Sequence, residues 1–95
     1  MTNYIPHYTK KKQILTGKEL KLRRLLEGSA DLQKLITAAK EIRDARIRVL
    51  RARRATIPPE GTAQVAFDRI DQEIDCLLNT APQIILAEFG YSSND

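Results

Sequence analysis

Arginine is the residue best equipped for chemistry in this chain. Lys40, Arg43, Ile47, Arg51 and Arg54 recur at spacings of three and four, which places them on one face of a helix, with Arg48 at its edge. A guanidinium carries five donors in a planar fork that matches the oxygens of a carboxylate or a phosphate. Five cations around one isoleucine suit three roles: a solvated face, a protein contact anchored on Ile47 and Ile36, or a row of phosphate contacts. A second run, Lys10-Lys11-Lys12, stands near Tyr4, His7 and Tyr8 and has the make-up of a basic arm for nucleic acid.

Two further arginines fall elsewhere. Leu32, Leu35, Ala39, Ile42, Val49 and Leu50 form an apolar stripe, and Arg46 and Arg53 sit within it. Leaving a guanidinium buried and unpaired costs on the order of several kcal/mol, so Arg46 requires an acid nearby. An antiparallel pairing with the following helix offers Glu73, and Arg46–Glu73 is the expected inter-helix ion pair.

Other chemistry is scarce. One histidine and one cysteine do not make a metal site of the familiar kinds. His7 and Cys76 are far apart in sequence, and the glycines at 17, 28, 61 and 90 are isolated, so there is no phosphate loop. No catalytic, cofactor-binding or metal-binding residue is assigned, and an enzyme is not expected.

The elements that position the arginines are marked by start and stop signals. Thr16-Gly-Lys-Glu19 fits a capping box, Leu20 to Leu26 supply apolar residues, and Gly28 suits a left-handed helix end. Ser29 can cap a second helix with Asp31 in its first turn, and no breaker follows until Pro58-Pro59. Thr80-Ala-Pro-Gln83 repeats the capping pattern, and Gly90 closes the last helix. The sequence therefore predicts an all-α bundle built on a long antiparallel hairpin, about 30–56 against 60–79. Short helices fall at about 17–27 and 81–89. Residues 1–15 read as an extended or mobile basic arm, 16–90 as one helical domain and 91–95 as a frayed tail. Facing pairs in this hairpin are Val49–Ile70, Ile42–Leu77 and Leu35–Ile84.

Charge divides along the same line. Residues 1–56 hold fifteen Lys or Arg against five acids, whereas residues 57–95 hold Arg69 alone against seven. Folding the acidic third helix onto the basic second brings Asp68, Asp71 and Asp75 near Arg51 or Arg54, Arg46 to Arg48, and Arg43. The longest apolar runs are three residues, too short to cross a membrane, and no apolar N-terminal stretch suggests a secretory signal. A lone cysteine fits a reducing compartment, so the expected location is the cytoplasm. With two phenylalanines and no tryptophan the core is thin, which favours completion by a second copy. The leading expectation is thus a non-enzymatic, self-associating protein–protein interaction module. The alternative is a nucleic-acid-binding accessory protein using the basic face.

Overall fold

α2 (Leu32–Ala55) is the central element, because three other helices each pack on a different part of it. They are α1 (Tyr4–Glu27), α3 (Ala63–Leu78) and α4 (Pro82–Glu88). The computed structural model describes residues 4–91, and within them all regular structure is helical. The all-α bundle expected from the sequence is what forms. Its principal hairpin, however, pairs α2 with α1 over the full length of both, about 36 Å at ~1.5 Å per residue. The α2–α3 pairing is the shorter one, and α4 covers the first half of α2.

The segment expected to be extended is helical from Tyr4 onward. Pro6 falls in the first turn of α1, where its missing N–H leaves no intrahelical bond unmade. Thr16 does not start a helix. It lies mid-helix, and its hydroxyl donates to the Lys12 carbonyl one turn back at 3.1 Å. What carries the helix through Gly17 is tertiary: Leu15, Leu22, Leu25 and Leu26 share one stripe that packs with α2 and α4. Residues 1–3 of the expected arm and 92–95 of the expected tail lie outside the described residues.

The turn between α1 and α2 also differs from expectation. Ser29, not Gly28, takes the left-handed conformation, with φ of 55°. The Ala30 amide donates to the Leu25 carbonyl at 3.1 Å and the Ser29 amide to Leu26 at 3.4 Å, which together close α1 in a Schellman motif. Asp31, rather than Ser29, caps α2, its carboxylate accepting the Lys34 amide at 3.0 Å. At the other end of the chain, Gly90 does close α4 with φ of 88°. Thr80 does not cap α4. Its hydroxyl donates to the Cys76 carbonyl at 2.6 Å, leaving Pro82 to open the helix.

The core is split into two clusters. One joins Leu22 of α1, Leu35, Ala38, Ala39 and Ile42 of α2, and Ile85 and Leu86 of α4. Leu22, Ile42, Ile85 and Leu86 are fully buried, each contributing about 1.5–3 kcal/mol. The second cluster is smaller: Ile47 with Ile70 and Ile74 of α3, flanked by Leu50, Ile57 and Leu77. The expected Leu35–Ile84 pair is not made. Ile84 is 56% exposed, and its neighbours Ile85 and Leu86 point inward in its place. Among the described residues no helix is long and apolar enough to cross a membrane.

Candidate functional site

Residues of α1 on the side of α2 recur at 8, 11, 15, 18, 22 and 25, the alternating three-and-four spacing of a packed helical seam. α2 answers with Ala38, Glu41, Ala45, Arg48 and Ala52, whose three alanines are all buried. Small residues on one helix accept the larger ones from the other. The ion pair Lys18–Glu41, 2.7 Å long, fixes the register between them. One heptad further along, that register sets Lys11 opposite Arg48.

These two polar layers differ in sign. At Lys18–Glu41 a cation meets an anion, with Lys21 adding a second cation 3.8 Å from the same carboxylate. That environment holds the Glu41 carboxyl below its ordinary value of 4.5. The hydrogen bond from Lys18 is the main cause, followed by the charges of Lys18 and Lys21, and partial burial opposes them. At Lys11 and Arg48 the register sets cations on facing helices. His7, Lys11, Arg48, Arg51, Ala52 and Ala55 line a shallow groove of about 280 Å³ between α1 and α2, and no carboxylate is among them.

The expected basic face is only partly assembled. Lys40, Arg48 and Arg51 are exposed, as the helical spacing required. Arg43 turns to its neighbour Asp44 at 3.4 Å. Arg54 bonds Asp71 at 3.2 Å and lies 4.4 Å above the Phe67 ring. Ile47, expected as an exposed anchor, is buried at 5% exposure. α3 crosses the side of α2 that the sequence reading left to solvent, and Ile47 becomes the centre of the second cluster. Ile36 is half-buried against the first. The face thus loses its apolar anchor and keeps its cations.

Arg46 is paired, but not with Glu73. Its guanidinium bonds Glu88 of α4 at 2.9 Å and stands 3.7 Å from Glu19 of α1. α4 packs beside Ile42 and Ala39, on the flank of α2 where Arg46 points. Glu73 lies where α3 borders α2, in a groove with Arg53 and Arg69. Asp71 meets Arg54 in place of Arg46 to Arg48, because α3 contacts the later turns of α2. Asp68 takes its hydrogen bond from Gln64 at 2.8 Å.

Lys10, Lys11 and Lys12 therefore project from a helix, Lys11 half-buried toward α2 and Lys10 and Lys12 exposed. Lys12 also lies 5.2 Å from the centre of the Tyr8 ring. Antiparallel packing brings these lysines to the same end of the rod as Arg48, Arg51, Arg53 and Arg54. Among the described residues, Arg54 is the one member of that group in an ion pair. Toward the middle of the rod Lys18, Lys21 and Arg46 meet carboxylates, and at the far end Arg23, Arg24 and Lys34 are, among the described residues, in no ion pair either. An extended arm would not bring these groups to one end. The 8-11-15-18-22-25 spacing is the signal that reveals their convergence.

Among the described residues aromatic side chains offer little stacking surface. Phe89 lies under Arg23 at 5.0 Å, Phe67 under Arg54, and Tyr91 against the first cluster. Among the described residues no group of His, Cys, Asp or Glu is arranged to hold a metal ion. Comparison with protein-family models, with curated proteins and with solved structures finds no match to this chain.

Proposed function

We propose that this chain is a non-enzymatic binding protein of the cytoplasm whose ligand is the phosphate backbone of nucleic acid. The observation that supports the reading is that Lys10, Lys11, Lys12, Arg48 and Arg51 fall at one end of the hairpin, where among the described residues none of the five is in an ion pair. Clustered lysine and arginine bind phosphates by displacing condensed counterions, without reading sequence. The occupied aromatic rings argue against base stacking as the source of affinity, and so favour duplex over single strand.

Fluorescence anisotropy with a short labelled duplex and the matching single strand tests this. Five phosphate contacts correspond to a slope of roughly −4 to −5 in log affinity against log salt for the duplex. Arg51→Glu with Lys10→Glu is expected to remove binding while helicity by circular dichroism is retained. Absence of binding at low salt overturns the reading, as does binding to anionic vesicles with none to nucleic acid.

Self-association is the second reading, and a separate observation favours it. α3 buries only Ile70 and Ile74, and it leaves Val65 at 56% and Leu78 at 54% exposure. A second copy laid over either end of α3 would cover one of them. Sedimentation of the wild type against Val65→Ser with Leu78→Ser is the check. A monomer in both, at high protein concentration, removes this reading and leaves the first untouched.

A further inference from the structure

Among the described residues, one side of the α1–α2 hairpin is covered by no other helix. α4 packs on α2 at Leu35, Ala39 and Ile42, and α3 packs at Ile47. Two shallow grooves between α1 and α2 avoid all four of these residues. Lys21, Leu25, Lys34, Thr37 and Glu41 border one, and the other is the groove of His7, Lys11, Arg48 and Arg51. On α1 the bordering residues fall at 7, 11, 18, 21 and 25, and on α2 at 34, 37, 41, 48, 51 and 55. With Ile14 and Asp44 in the gaps, each set is a single stripe at spacings of three and four. Both grooves therefore open on the same side of the seam, the side that α3 and α4 leave bare.

We infer that a nucleic-acid duplex lies lengthwise on this bare side, so that its footprint spans both grooves and not the basic end alone. The inference rests on the nucleic-acid reading and extends it to residues that reading did not use. Charge is the argument. Lys11, Lys18, Lys21, Lys34, Arg48 and Arg51 all stand along this side, Lys18 through its bond to Glu41. The two acids of the same stripe, Glu41 and Asp44, are each held in an ion pair already. Asp68, Asp71, Asp75 and Glu88 belong to α3 and α4, on the covered side, where they repel phosphate. The groove floors are small or apolar, Leu25 and Ala38 in one and Ala52 and Ala55 in the other. Contact therefore falls to the long exposed side chains at the rims, which suits a repeating backbone better than a single enclosed anion. Lys34 and Arg51 stand at opposite ends of α2, roughly 25 Å apart at ~1.5 Å per residue. With about one charge per ~1.7 Å of duplex axis, that span matches roughly seven base pairs.

Two charge reversals of equal size test the footprint by anisotropy with a labelled duplex of about twelve base pairs. Lys34→Glu lies on the bare side, far from the basic end, and an acid in the first turn of α2 suits the helix dipole. Arg69→Glu lies on α3 and is exposed. At about 0.1 M salt, charges more than ~10 Å apart are largely screened, so a loss reports contact and not net charge. Lys34→Glu is expected to weaken binding several-fold and to reduce the salt slope by roughly 0.9, the share of one phosphate contact. Adding Lys21→Gln, which spares the Lys18–Glu41 bond, is expected to reduce the slope by roughly as much again. Arg69→Glu is expected to change neither quantity, and circular dichroism checks that all three variants keep their helices. Wild-type affinity and slope in the Lys34→Glu protein overturn the footprint and leave the basic-end reading standing. An equal loss in Arg69→Glu overturns it too, since net charge and not one side would then set the affinity. No duplex binding by the wild type removes the nucleic-acid reading and the footprint together. Tighter binding of poly-glutamate than of duplex would assign the bare side to an acidic protein and overturn the proposal.

Discussion

Lys18 Nζ lies 2.7 Å from Glu41 Oε1, and this bond between α1 and α2 makes stability depend on acid. Lys18 foremost, with Lys21, holds the Glu41 carboxyl below 4.5, so the folded chain gives up that proton more readily than the unfolded chain. The sign follows. The contribution is fully present above the unfolded value, and it is lost as pH falls through the lower folded value. Melting temperatures recorded from neutral pH down through this range are expected to fall more steeply for the wild type than for Glu41→Gln. At neutral pH Glu41→Gln is expected to cost about 1 kcal/mol, since both side chains are about a third exposed. Parallel acid profiles for the two proteins would exclude this role.

Arg46 ties α4 to the hairpin, through Glu88 at 2.9 Å with Glu19 in reserve at 3.7 Å. A double-mutant cycle of Arg46→Gln and Glu88→Gln is expected to show a coupling of about 0.5–1 kcal/mol in urea unfolding. The same cycle with Glu73→Gln is expected to show none. Coupling to Glu73 in place of Glu88 would mean that α3 and α4 are wrongly placed around α2.

What the sequence disclosed, and what it hid, follows from how local each signal is. The second half of α1, the three later helices, the Pro58-Pro59 break and the Gly90 stop are local signals that the sequence carries. The choice of neighbours around α2 is not. α2 carries apolar or small residues on more than one flank, with Ala38, Ala45 and Ala52 on one side and Ile42 and Ile47 on others. A single hairpin register uses only one flank, and it leaves Ile47 on the surface. Alanine is a weak marker of burial in a sequence and a strong determinant of close helix approach. The seam toward α1 is faint in the sequence for that reason, and with it the register that sets Lys11 opposite Arg48. Thr16-Gly17 satisfied a local capping rule that the packing of Leu15 and Leu22 overrode.

Ile47 distinguishes the two views of α2 directly. At 5% exposure, with Ile70 and Ile74 against it, truncation to alanine opens a cavity in the smaller cluster. Ile47→Ala is expected to cost about 2–4 kcal/mol in urea unfolding. An exposed anchor would cost close to nothing. A near-zero change would detach α3 from α2 and restore the basic face with its isoleucine.

Ser29 bears a left-handed conformation that glycine adopts without steric cost. Its exposed position and the surrounding Schellman bonds make glycine a fitting replacement. Ser29→Gly is expected to stabilise the chain by about 0.5–1 kcal/mol. Gly28→Ala is the contrasting change. Its added Cβ would lie 3.4 Å from the Arg24 carbonyl oxygen, and it would relieve no left-handed strain. If Ser29→Gly proves neutral, the turn between α1 and α2 does not have this geometry.

Gly17 tests whether α1 is one helix long enough to carry its lysines to Arg48. It lies within α1, exposed, and a Cβ added there meets nothing within 4 Å. In a helix interior alanine is favoured over glycine by about 0.8–1 kcal/mol, so Gly17→Ala is expected to raise unfolding stability by that amount with the urea slope unchanged. Were Thr16 a true cap, position 17 would open the helix and the gain would shrink. Gly17→Pro makes the functional point. It removes an interior amide and costs about 3 kcal/mol or more. It also breaks the rigid path from Leu22, seated in the core, to Lys11. Loss of duplex binding in Gly17→Pro, with binding retained in Gly17→Ala, is the outcome expected if the lysines act from a continuous helix. Equal binding by both would assign the affinity to the arginines of α2 alone.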